Sequence, residues 1–355
     1  MEEAKEKKDS NPSRPKIGLV LGGGGVRASF HIGFYDELCK NNIPIDYVTG
    51  TSMGAIVGGA IALGFPPKKM KEIMLGLGNM DLFTLKNFNY FSESLLKHTP
   101  VLKNLKDVYQ DYQFKDCKIP FACLAVDLES GKEVVLNEGS LFKAISASSA
   151  YPVIFPPVFY KDKYLVDGGL LSNVPAMAAR NMGADKVIAI AIRNNKVRQY
   201  ISGQVFKRHY KTPVKESWFS RKFRFVKRKK QDLQLFVDIL LECVAIASRR
   251  SQHMEITKAE PDVLVSELVD VDLFEFSRAE EAIKMGQDAA KKYMPQIKAL
   301  LGEDFQTEQI PAQQPPQAEP PQQPPQTEEA QNPPQPEPAK QPPQAEEGNQ
   351  PEDNK

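Results

Sequence analysis

Between Lys16 and Leu301, short apolar, β-branched runs alternate with stretches of helical periodicity, and this alternation restricts the fold more than any other feature of the chain. Lys16–Leu21, Asp46–Thr49, Lys186–Ile192 and Val263–Val265 read as strands, and Pro120–Leu128 with Glu133–Leu136 as a strand pair around the Ser130-Gly131 turn. Tyr164–Val166 is a further strand that runs into Asp167-Gly168-Gly169. Val26–Lys40, Met53–Leu63, Ala176–Met182, about Asp232–Arg249 and Arg278–Leu301 read as helices. The pattern predicts an α/β fold whose mainly parallel sheet is covered on both faces.

The two ends do not share that pattern. Residues 1–15 are polar and charged, contain no apolar signal segment, and read as a loose N-terminus. The last fifty residues hold fourteen of the 28 prolines, and the rest is mostly Gln, Glu and Ala. Such a stretch buries too little apolar surface to offset its ordering entropy, so 302–355 reads as a disordered tail with polyproline bias. It is either a solubilising tail or a docking peptide for an aromatic groove of an unidentified partner. Residues 16–301 are left as the folded domain.

A net charge of +1 hides an uneven distribution. Arg198 to Lys230 carries twelve Lys/Arg against one acid, Glu216, while Gln306 to Lys355 carries nine Asp/Glu against two Lys. Cys39, Cys117, Cys123 and Cys243 lack the C-x-x-C spacing of a metal site, and without an export signal they fit free thiols in a reducing compartment. No apolar run reaches the roughly eighteen residues that span a bilayer. A cytoplasmic location with peripheral membrane contact is expected.

Two turns carry chemistry. Gly50-Thr51-Ser52-Met53-Gly54 matches G-x-S-x-G between a short strand and an apolar helix. Small flanking residues at Gly50 and Gly54 let neighbouring backbones approach a strained central serine, and the helix N-terminus favours negative charge beside it. An ordinary N-cap serine would satisfy the same pattern. Gly22-Gly23-Gly24-Gly25 follows the first strand and leaves backbone amides unshielded at a helix start, an anion cradle. There is no Gly-Lys-Ser/Thr ending, and Ala28 occupies the last glycine position of G-x-G-x-x-G, so nucleotide binding lacks support although Asp46 follows. A right-handed crossover would set this turn beside Ser52, where backbone donors can hold the oxyanion of acyl transfer.

A serine nucleophile needs a base. His31 lies inside the first helix, His98 has no motif nearby, His209 is in the basic segment and His253 stands beside Arg249 and Arg250. None follows a strand end, whereas Asp167 does. Its carboxylate is either a base for Ser52 or a turn residue.

In order, the glycine turn with Arg27, the Ser52 pentapeptide and Asp167-Gly168-Gly169 resemble the patatin-like phospholipase family, especially its compact bacterial members. Ser146-Ala147-Ser148-Ser149-Ala150-Tyr151-Pro152-Val153-Ile154-Phe155-Pro156-Pro157 is similar to the segment before the family's aspartate. The resemblance runs from about Lys16 to Leu301 and thins across the basic insertion at about 198–230. It implies a three-layer α/β/α fold and a Ser–Asp dyad that needs no cofactor or metal: Ser52 as nucleophile, Asp167 as general base, Gly23, Gly24 and Gly25 as the oxyanion turn with Arg27 in support, and Gly168 and Gly169 shaping the Asp turn. Ala28 departs from the glycine many members have after the Arg. The implied activity is hydrolysis of carboxylic esters in phospholipids or lysophospholipids, and changing all four histidines is expected to spare most of it.

Residues 206–230 interleave cations with Phe206, Tyr210, Trp218, Phe219, Phe223 and Phe225. That mixture suits an anionic membrane surface, where each Lys/Arg is worth about 1 kcal/mol; it also suits single-stranded nucleic acid, but no nucleic-acid motif accompanies it, and a solvated loop with its aromatics tucked into the core has the same composition. In the following helix, Gln234, Asp238 and Glu242 form one narrow polar stripe, so burial against the sheet with one edge near the site is expected, the alternatives being a wall of an acyl-chain cleft or a place at an interface. A catalytically silent adaptor, docking lipid with the basic segment and partners with the tail, is the alternative.

Overall fold

In the computed structural model the first apolar run is strand β1 (Ile17–Leu21), buried at all five positions. The chain continues as α1 (Phe30–Lys40), β2 (Tyr47–Gly50), α2 (Met53–Ala62), α3 (Pro67–Gly78), α4 (Pro100–Tyr109), β3 (Phe121–Asp127), β4 (Glu133–Leu136) and α5 (Leu141–Ser148). It then forms β5 (Val158–Tyr160), β6 (Lys163–Asp167), α6 (Ala176–Met182), β7 (Lys186–Ile190), α7 (Trp218–Ala259), β8 (Val263–Val265) and α8 (Ala279–Ala299). The structure describes residues 14–78, 100–193 and 218–302. The loose N-terminus, the tail and the part of the basic insertion before Trp218 that the sequence suggested lie outside these residues.

The strands form one sheet in the order β5-β6-β3-β2-β1-β7-β8, with β4 also paired to β3. β3, β2, β1, β7 and β8 run parallel, and the β4 and β5–β6 pairings are antiparallel. Alternate side chains feed two cores. Leu19, Leu21, Ile188 and Ile190 join the larger, with residues of α1, α2 and α8. Val20, Val187 and Ala189 join the smaller, against Ala176 and Ala179 of α6 and Ala259 of α7. Two covered faces make the three-layer α/β/α arrangement and explain why these strands are apolar without alternation. On one face α1 and α8 meet at Gly33 and Gly286, where an added Cβ would strike the backbone of the opposite helix, so the two helices pack through glycine.

Three local differences from the sequence expectations have physical reasons. The span expected as one helix from Val26 opens as a 3-10 turn, Gly25–Ser29, because Gly25 enters at φ +57° under the Leu273 carbonyl. α5 is not among the helices the sequence predicts, although Ser140 caps it, its hydroxyl accepting from Lys143 N at 3.3 Å. α7 begins at Trp218 instead of near Asp232, since nothing in the cation–aromatic run after Pro213 breaks a helix. Among the described residues no helix is long and apolar enough to cross a membrane.

Candidate active site

β1 and β2 are parallel neighbours with Leu21 level with Gly50, so the glycine turn and Ser52 leave the same edge of the sheet side by side. A Cβ placed on Gly23 would stand 3.2 Å from the Ser52 Cβ. Gly50 and Gly54 are explained by the same crowding: a Cβ on Gly50 would collide with the Gly54 carbonyl, and one on Gly54 with the Leu21 carbonyl. Between them Ser52 takes φ 57° and ψ −127° at the head of α2, a conformation that side-chain-bearing residues adopt only under constraint.

That constraint comes from α5. Ser52 N donates to the Ser148 hydroxyl at 3.1 Å, and the Ser149 hydroxyl donates to the Ser52 carbonyl at 3.2 Å. Thr51 is fixed as well, its hydroxyl donating to the Ser172 carbonyl at 2.8 Å. Ser148 and Ser149 stand out in the sequence only as part of the segment resembling the one before the family's aspartate, and nothing there shows that they grip the Ser52 turn.

Asp167 reaches the site differently from the way its strand suggested. β6 is antiparallel to β3, with Asp167 opposite Ala125, and β3 lies parallel to β2 with Cys123 opposite Gly50. Ala125 is two residues beyond Cys123 and Ser52 two beyond Gly50, so the carboxyl and the hydroxyl arrive at one height along the strands. Asp167 is 2% exposed. Burial pushes its carboxyl up to about 6, against the opposing pull of the Ser52 hydroxyl and the Gly169 N–H. Oδ1 accepts from Gly169 N at 2.8 Å, and Oδ2 is buried without a closed hydrogen bond. The Ser52 hydroxyl thus lies near enough to favour the charged carboxylate. Gly168 packs where a Cβ would strike the Leu124 carbonyl.

The four glycines divide their amides. Gly22 N donates to the Ile190 carbonyl and Gly23 N to the Asn173 carbonyl, both at 3.0 Å, whereas Gly24 and Gly25 N–H have no acceptor among the described residues. The oxyanion turn expected at Gly23, Gly24 and Gly25 therefore offers two bare donors, from Gly24 and Gly25. Arg27 braces it, with Nε donating to the Gly24 carbonyl at 3.0 Å, and burial lowers its guanidinium to about 10. Ala28, the departure from the family pattern, is buried and fits. Asn173, not singled out in the sequence, joins the two turns: its Oδ1 lies over Gly23 and Gly169, and its Nδ2 donates to Gln252 Oε1 at 2.9 Å.

The histidines are not equivalent. His253 is exposed, and His98 and His209 lie outside the described residues. His31 is fully buried, with Nε2 2.8 Å from the Gly22 carbonyl, which can only accept, so that nitrogen carries the proton. Nδ1 has no partner, and burial lowers the ring to about 4. His31 is a neutral support under the glycine turn. Changing all four histidines would therefore disturb the turn through His31.

Beside α2 lies an apolar cleft. Met53, Val57 and Ala60 of α2 face Met74 of α3 and Leu105 and Tyr109 of α4 across it. Tyr109 closes one wall by donating its hydroxyl to the Ile56 carbonyl at 2.5 Å.

A strained serine on a strand-to-helix elbow, next to bare backbone donors, is the arrangement α/β hydrolases use to attack carbonyls. Residues 19–180 match the family model of the patatin-like phospholipases. Mouse patatin-like phospholipase domain-containing protein 7 is 32% identical over 182 residues, 50% of this chain and 13% of its own length. Human patatin-like phospholipase domain-containing protein 6 is 33% identical over 181 residues, again 50% of this chain and 13% of its own. An uncharacterized NTE family protein of Mycobacterium tuberculosis is 30% identical over 186 residues, 52% of this chain and 51% of its own. The matched stretch thus spans 13% of the two mammalian relatives and about half, 51%, of the mycobacterial one. Among solved structures, VipD from Legionella pneumophila is similar at a TM-score of 0.43 and 13% identity, covering 81% of this chain and 67% of that one.

Proposed function

We propose that this chain is a lipid acyl hydrolase that cleaves carboxylic esters of phospholipids or lysophospholipids through Ser52 and Asp167. The observation that carries the reading is the convergence of a strained Ser52, the buried Asp167 carboxyl and the unpaired Gly24 and Gly25 amides at one sheet edge. Ser52 Oγ attacks the ester carbonyl while its proton passes to Asp167. The carbonyl oxygen, now negative, is held by the two glycine amides, with Arg27 fixing their turn. Collapse expels the alcohol, which takes the proton from Asp167 and leaves an acyl-Ser52 ester. Water, deprotonated by Asp167, then releases the fatty acid and restores the hydroxyl. Each oxyanion donor in such a site is worth about 3–4 kcal/mol of barrier.

The apolar cleft that begins at Met53 supports an acyl substrate, because a hydrocarbon chain anchored there keeps its ester beside Ser52. The cationic run in 206–230 supports access from an anionic lipid surface. A panel of phospholipids, lysophospholipids and triacylglycerols, scored by fatty-acid release beside Ser52→Ala, tests the proposal. Release from at least one class that vanishes in the variant is expected. No release from any lipid, or equal release by Ser52→Ala, rejects it and favours the silent adaptor.

A further inference from the structure

α7 presents two unlike faces. Its inner face is specific and polar where it meets the site: Gln252 accepts from Asn173, Glu255 Oε1 accepts from Met177 N at 3.0 Å, and the Ser251 hydroxyl donates to the Leu171 carbonyl. Glu242, from the stripe that would ordinarily face water, is half-buried and paired with Arg249 at 2.6 Å. The outer face instead shows Ile239, Ile246 and Met254 at 40%, 55% and 57% exposure, with Cys243 also exposed among them. Steps of four, three and eight residues align all four on one side of the helix. Arg250 is exposed within the same stripe, and Leu171, 42% exposed, lies beside the helix at Ser251. Burial against the sheet, expected from the sequence, applies to one side of α7 only.

Resting on the proposed lipid hydrolysis for its choice of occupant, we propose that this outer stripe, Ile239–Cys243–Ile246–Met254, is a docking surface for an anionic lipid bilayer. Two observations select lipid. The helix that carries the stripe also includes Arg221–Lys230, with seven Lys/Arg in its sequence, and Arg250 places a further cation within the stripe. Apolar side chains that enter the acyl boundary beneath a belt of cations are the composition of an interfacial helix. The stripe also lies one helix diameter, about 10–12 Å, from the Asp167–Gly169 turn that the inner face of α7 contacts. Docking there brings the bilayer surface to the edge of the site.

The test uses the full chain and a variant with Ile239→Glu, Ile246→Glu and Met254→Glu, none of which lies in the reacting machinery. Both are sedimented with vesicles of phosphatidylcholine alone or mixed with phosphatidylserine, and both are assayed on a water-soluble short-chain ester. Expected are binding of the wild type to the mixed vesicles, a loss of about a hundredfold or more in the variant, unchanged thermal stability, and unchanged hydrolysis of the soluble ester. Undiminished vesicle binding by the variant overturns the proposal, as does equal affinity of the wild type for neutral vesicles. It is overturned too if the stripe is already covered: by a second copy, seen as a wild-type oligomer that the variant dissolves, or by the chain itself, seen as a fall in thermal stability. Absence of fatty-acid release from any lipid by the wild type, with vesicle binding retained, rejects the catalytic reading and leaves the docking surface standing.

Discussion

Replacing Asp167 by Asn should destroy activity and stabilise the protein, and the second effect is the more discriminating. The carboxyl is 2% exposed and sits at about 6, raised from an ordinary value of 3.8 by loss of water. Below pH 4 the folded and unfolded chains both hold the proton, and no penalty exists. Between about 4 and 6 the folded chain keeps a proton the unfolded chain has released, so stability falls as pH rises. Above 6 the penalty is complete. At about 1.4 kcal/mol per tenfold change in proton affinity it amounts to about 3 kcal/mol, a large share of the 5–15 kcal/mol that holds an ordinary domain together. Asn keeps an oxygen for Gly169 N–H, now at 2.8 Å from Oδ1, and carries no charge. Urea unfolding at pH 8 should therefore show the Asn variant more stable by about 1–3 kcal/mol, with the difference disappearing near pH 4. A variant less stable at pH 8, or a gain independent of pH, would refute the idea that the buried carboxylate is strained for use.

For the wild type, kcat/KM on a soluble ester should rise about tenfold per pH unit up to about 6 and then level, because Asp167 must be ionised to accept the proton; a plateau reached near pH 4 would contradict this. Ser52→Gly and Ser52→Ala should both be inactive, but the glycine variant, free of the strain at φ 57°, should be the more stable by about 1–2 kcal/mol in chemical denaturation. Ala60→Phe, at the far end of the cleft from Met53, should lower the ratio of long- to short-chain ester hydrolysis by about tenfold with short-chain turnover preserved. His31→Leu should lower stability by about 1–3 kcal/mol, since it leaves the Gly22 carbonyl unpaired, while His253→Ala should leave both stability and turnover unchanged.

How much of this was legible depended on whether a feature was local. The elbow was legible because its requirement for small residues at Gly50 and Gly54 is met within five positions, and the structure explains each by a backbone collision. The parallel strands were legible because burial on both faces leaves an apolar run. The direction of β6 was not, since a short strand ending in Asp167 reads alike whether it pairs parallel or antiparallel; the register with Ala125 sets the level of the carboxyl. Donor use along the glycine turn was equally hidden. Gly23 and Gly24 are identical in sequence, and only the distant Asn173 carbonyl distinguishes the occupied amide from the bare one. The clamp by Ser148 and Ser149 crosses 96 and 97 positions, beyond any periodicity. For α7, apolar content predicted burial, but periodicity reports only that a face is apolar and not what covers it.

The pairing of Ser52 with Asp167 is tested most directly by covalent labelling with a long-chain alkyl fluorophosphonate, mapped by peptide mass spectrometry and timed at pH 8. The mechanism predicts one adduct, on Ser52, formed about a hundredfold to ten-thousandfold more slowly in Asp167→Asn and not at all in Ser52→Ala. An adduct on another residue, or undiminished labelling of Ser52 in Asp167→Asn, would contradict it.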